Sequence, residues 1–119
     1  SPPLTGIVLR TDDTPKYSFE LEFIYGYEVR NFKPLAKIIV IVKSKKNGKV
    51  YKTETNEKGI FIFDKLEDDD YVLSIVVPKG FEQVFRYEQH KDYEIVVPIN
   101  KSICGGPGIV FKVRQTKKL

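Results

Sequence analysis

Thr53-Glu54-Thr55-Asn56-Glu57-Lys58-Gly59-Ile60-Phe61-Ile62-Phe63-Asp64-Lys65-Leu66-Glu67-Asp68-Asp69-Asp70-Tyr71-Val72-Leu73-Ser74-Ile75-Val76-Val77-Pro78-Lys79-Gly80 is the stretch that decides the fold. It reads as a strand end, a turn, a strand, an acidic turn and a further strand. Thr53 and Thr55 are β-formers, and Asn56 to Gly59 supplies turn chemistry. Phe61, Phe63, Leu66, Tyr71, Leu73 and Ile75 carry large apolar groups at strand-compatible spacing. Together they predict an antiparallel sandwich.

The same rhythm extends both ways. Upstream, Thr5 to Arg10 is a short apolar run, and Tyr17 to Tyr27 alternates Phe19, Leu21, Phe23 and Tyr25 against Ser18, Glu20 and Glu22. Asn31 to Pro34 reads as a break, followed by the aliphatic run Ile38-Ile39-Val40-Ile41-Val42. Asn47-Gly48 then signals a hairpin into Lys49 to Thr55. Downstream, Phe81 to Tyr87, Tyr93 to Pro98 and Ile109 to Arg114 complete the set, with Glu82 to Lys91 also admitting a short helix. The expected fold class is all-β: a Greek-key sandwich of about seven to nine antiparallel strands.

Bulk properties agree. A chain of 119 residues is expected to form one domain, spanning 1–119. Its eight Phe and seven Tyr, with no Trp or Met, suit a sheet core. Twenty basic and sixteen acidic residues give a net charge of +4, interleaved except for Lys112, Arg114, Lys117 and Lys118 near the end. That pattern argues against nucleic acid as a partner, which would be met by a basic stripe. Cys104 is the single cysteine, which excludes an internal disulfide or a thiolate metal cluster. No run approaches the ~20 apolar residues of a membrane helix. No signal peptide is evident, and the Ser1-Pro2-Pro3 start fits a processed or trimmed end.

Several of these residues form a recognisable pattern. Lys33-Pro34-Leu35, then Ile38, Val40 and Val42, Thr53 to Phe63, Leu66, Tyr71-Val72-Leu73-Ser74-Ile75 and Gly80-Phe81 resemble the carboxypeptidase regulatory-like and Cna-B-like group of transthyretin-like sandwiches. The resemblance covers Lys33 to Phe81. Lys37 and Ile38 replace the usual glycine and alanine, and Asp70 replaces the glycine before the tyrosine. What the resemblance implies is a noncatalytic accessory module of a secreted, cell-surface or bacterial outer-membrane protein. Some Cna-B-like domains form an internal lysine-to-asparagine or aspartate bond assisted by a buried acid. The matching position here is Ile75, which cannot move the protons amide formation needs, so the crosslink is expected to be absent, a variant using Glu82 or Glu94 being the alternative. The related hydroxyisourate hydrolases need paired histidines and a tyrosine-arginine-glycine-serine end. This chain has His90 alone and ends differently.

Other candidate sites are weighed on their chemistry. Cys104 in Ile103-Cys104-Gly105-Gly106-Pro107-Gly108 offers a thiol, and His90 is the only histidine that could activate it. One residue of each type proves no proximity, so an unpaired cysteine beside a glycine-rich turn is the expectation. Glu67-Asp68-Asp69-Asp70 lacks the alternating ligand spacing of calcium loops and reads as a solvated turn, as does Lys43 to Lys46 with Lys49. Neither a metal nor a cofactor is expected.

Strand alternation singles out another feature. If Phe61, Phe63, Ile38, Val40, Val42, Leu73 and Ile75 point inward, then Ile39, Ile41, Ile60, Ile62, Val72 and Val76 point outward. Either the chain's own N-terminal strands cover them, or they dock on another protein domain or subunit. The expected interaction face is Ile39, Ile41, Ile60 and Ile62. Carbohydrate or small-ligand binding through Tyr25, Tyr27, Tyr87 and Tyr93 is the alternative.

Overall fold

In a computed structural model, residues 3–11, 32–67, 69–84, 93–97 and 109–116 are described. They form strands β1 (Leu4–Arg10), β2 (Lys33–Pro34), β3 (Ile39–Ser44), β4 (Val50–Glu54), β5 (Ile60–Phe63), β6 (Asp69–Ile75), β7 (Phe81–Val84), β8 (Tyr93–Val97) and β9 (Ile109–Gln115). One sheet, A, runs β2-β1-β9-β7, with β5 also paired to β1; the second, B, runs β4-β3-β6-β8. The architecture is an all-β sandwich.

Alternation builds the core. Val40 and Val42 of β3, Tyr71, Leu73 and Ile75 of β6, Phe61 and Phe63 of β5, and Phe111 and Val113 of β9 meet in one buried cluster between the sheets. Phe61 is central: its ring lies 6.2 Å from Phe63 and 6.1 Å from Phe111, centroid to centroid. Such tilted aromatic pairs add to the stabilisation from burial alone. Ile75 packs within this apolar cluster, at the position where the resembled crosslinked domains carry an acid.

Two expectations are corrected. The strands are not all antiparallel: β1 and β9 pair in parallel, Gly6 with Ile109 through to Arg10 with Val113. A parallel pair needs a long crossover, and here the whole intervening chain supplies it. Nor is Asn31 to Pro34 simply a break, since Lys33–Pro34 pairs with Leu9 and Arg10. Proline is tolerated there because this two-residue strand lies at a sheet edge. Glu82 to Val84 is strand rather than helix, and residues 85–91 lie outside the described set. The Tyr17 to Tyr27 strand expectation also lies outside it.

Turn chemistry is met locally. Asn56 Oδ1 accepts from the N–H groups of Lys58 and Ile60, and Gly59 takes φ +75°. This turn carries the chain from sheet B into sheet A. The Asn47-Gly48 hairpin forms with Gly48 at φ +73°, closed by Ser44 N–H on Lys49 O. The Ser44 hydroxyl accepts from the N–H groups of Lys46 and Asn47 and donates to Asp69. Lys37 adopts φ +62°, a conformation that glycine takes without strain, where the resembled pattern has glycine.

Candidate functional site

The four isoleucines expected to form one interaction face do not share a surface. Ile39 and Ile41 lie on β3 in sheet B, whereas Ile60 and Ile62 lie on β5 in sheet A. In each strand the alternate residues point into the common core, so the two pairs sit on opposite outer sides of the sandwich. Sequence alternation separates inside from outside, but carries no information about which sheet a strand joins.

The outer side of sheet A is covered around β1 and β9. Ile7, Leu9 and Val110 point away from the main core yet are buried, and Phe32 and Ile60 pack against them. Lys112 is buried on the same side, its ammonium 5.9 Å from the Phe32 ring. Sequence reading missed this second cluster, although the unbroken run Ile7-Val8-Leu9 is the mark of a strand buried on both faces. Only Ile62 of the expected sheet A pair is well exposed.

The outer side of sheet B is open. Ile39 and Val76 are 40% and 45% exposed, Ile41 and Val72 are half-buried, and Val50 on β4 is 46% exposed, against 47% for Ile62 across the molecule. Register places Ile39 opposite Glu54, Ile41 opposite Lys52, and Lys43 opposite Val50. The surface is therefore an aliphatic band beside a charged edge strand.

This division gives a contrast. Ile60→Lys is expected to lower stability by about 2–3 kcal/mol, because it forces an ammonium against Ile7, Leu9 and Val110. Ile62→Lys is expected to stay within about 0.5 kcal/mol of the parent. Urea unfolding followed by circular dichroism measures both, and equal losses would contradict the separation of the two positions.

Other candidates are placed as follows. Tyr93 begins β8, paired in register with Leu73, while Tyr25, Tyr27, Tyr87, His90 and Cys104 lie outside the described residues. The described residues of the acidic run are bound into the scaffold: Asp69 accepts from Ser44, Asp70 O accepts from Lys45 N–H, and the Tyr71 hydroxyl donates to Glu67 O at 2.7 Å. Among the described residues no group of three or more His, Cys, Asp or Glu could hold a metal ion. Glu82 is engaged with Arg114 on the surface between β7 and β9. No helix among these residues is long and apolar enough to cross a membrane.

No family model matches the chain. Colossin-B of Dictyostelium discoideum is 46% identical over 48 residues, covering 40% of this chain and 1% of that protein. Among solved structures, the shaft pilin SpaA of Lactobacillus rhamnosus GG superposes with a TM-score of 0.60 at 13% identity, over 97% of this chain and 51% of the pilin. The N-terminal domain of that pilin aligns over 99% of this chain and 100% of its own length, with a TM-score of 0.50 at 14% identity. The chain thus spans about half of the longer pilin chain it matches and a small fraction of the curated relative. At these identities the structural likeness establishes a shared fold: a two-sheet, all-β sandwich of the kind found in shaft pilins.

Proposed function

We propose that this chain is a noncatalytic β-sandwich module, folded as one unit over residues 1–119, that makes structural protein–protein contacts in a secreted or cell-surface protein. The observation that carries the reading is the asymmetry of the two outer sides. One is covered around Ile7, Leu9 and Val110, and the other leaves Ile39, Val76 and Val50 exposed. Exposed aliphatic side chains grouped on a sheet surface are suited to burial against another protein. A shared fold with a shaft pilin supports the structural class and the extracellular setting.

The test uses the full-length protein in its own cell. Photo-crosslinkers placed at Ile39 and Val76 are expected to capture protein neighbours, while the same probe at Lys58, in the turn that leads from sheet B into sheet A, captures none. Adducts to glycan alone, or a protein confined to the cytosol, would overturn the assignment.

A further inference from the structure

β4 is an edge strand whose outward residues complement those of a second copy of itself. It has β3 on one side and no described strand on the other. Its backbone polarity follows from the bonds that flank it: Ser44 N–H donates to Lys49 O, and Thr55 N–H donates to Ile38 O. Odd-numbered residues of this strand therefore direct N–H and C=O toward β3. Antiparallel ladders alternate, so Val50, Lys52 and Glu54 direct theirs off the edge. An edge of this kind is a template for another strand.

We propose that two copies of this chain associate edge to edge through β4, antiparallel about a two-fold axis at Thr53. The inference rests on the contact-making role argued above and names the partner. In this register Lys52 of each copy stands opposite Glu54 of the other, and each such pair exchanges both of its backbone bonds. Lys52 and Glu54 are both exposed and lie on the same side of the strand. The axis brings Thr53 against its own counterpart, a favourable cross-strand pairing. Shifting the axis to Lys52 would set lysine against lysine, so the edge charges select one register and oppose its neighbour. The ladder ends where the Asn56 N–H and C=O are already bonded to Ile60 and Gly59. Joining the strands also makes the exposed sides of the two B sheets continuous, with the Lys52–Glu54 pairs lying between the Ile39 of one copy and the Ile41 of the other, because Ile39 is the neighbour of Glu54 and Ile41 of Lys52.

Sedimentation equilibrium of the 119-residue chain from micromolar to millimolar concentration tests the idea, with circular dichroism melts as a folding control. Because an edge contact buries less than a standard interface, the expected dissociation constant is on the order of 100 μM or weaker. Lys52→Glu gives an all-acidic edge and Glu54→Lys an all-basic one. Each alone is expected to weaken the dimer about tenfold or more. An equimolar mixture of the two variants is expected to associate at least as well as the parent, and the double exchange Lys52→Glu/Glu54→Lys should restore the homodimer. A chain that stays monomeric throughout, or a dimer indifferent to these exchanges, overturns the proposal. Either result leaves the crosslinking outcome at Ile39 and Val76 free to stand, so the two readings fail separately.

Discussion

Gly6→Ala is expected to destabilise the sandwich by about 3 kcal/mol, the upper end for overpacking a filled core. Gly6 is on the inward side of β1, directly opposite Phe61 on β5 and Ile109 on β9. The Phe61 ring lies across this position because there is no side chain to exclude it. A methyl group there would come within 2.2 Å of the ring Cζ and 2.8 Å of the Ile109 carbonyl oxygen. The ring can turn aside only by disturbing its packing on Phe63 and Phe111, and the carbonyl belongs to the parallel ladder. A fall of roughly 1–3 M in the urea midpoint is the expected reading. Trimming the ring with Phe61→Leu should recover part of the loss, so the double variant is expected to be more stable than the sum of the single effects predicts. A neutral Gly6→Ala, or strict additivity, would contradict the placement of this ring.

Thr55→Val is expected to cost about 2–5 kcal/mol, although the two side chains have nearly the same shape. The Thr55 hydroxyl is buried, accepts from Ile38 N–H at 2.9 Å and donates to Leu35 O at 2.8 Å. Valine would leave both backbone groups without this partner, and an unsatisfied buried group costs about 1–3 kcal/mol, the upper part of that range for the buried Ile38 N–H and the lower for the partly buried Leu35 O. The bonds matter because they staple the segment leading into β3 to the end of β4, beside the turn that takes the chain into sheet A. Thr55→Ser keeps the hydroxyl and should lose much less, chiefly the packing of one methyl group. Thermal or urea unfolding of the pair decides the matter: equal losses would mean that the methyl group, not the hydroxyl, is what stabilises this corner.

Strand identity was legible where apolar residues alternate at close range. Phe61 and Phe63, Tyr71, Leu73 and Ile75, and Val40 and Val42 point inward as their parity predicts, because side chains on a strand leave by opposite faces. The turns at Asn56 to Gly59 and Asn47-Gly48 were equally legible, since asparagine side chains and glycine at positive φ act within a few residues. The expected interaction face was legible only in part. Ile39, Ile41, Ile60 and Ile62 share a composition and an outward parity, but not a surface.

The sequence by itself determined an all-β chain with an aromatic and aliphatic interior, because alternation and turn preference are local properties. Tertiary structure alone decided that β4 and β5, consecutive in the chain, join different sheets, and that β1 and β9, at its two ends, lie side by side in parallel. It also decided that Ile7, Leu9 and Lys112 are buried while Ile39 and Val76 are not. The reason is physical: which strands become neighbours depends on closing the sheets around one core, and the contacts that do so join residues far apart in sequence whose local signals are alike.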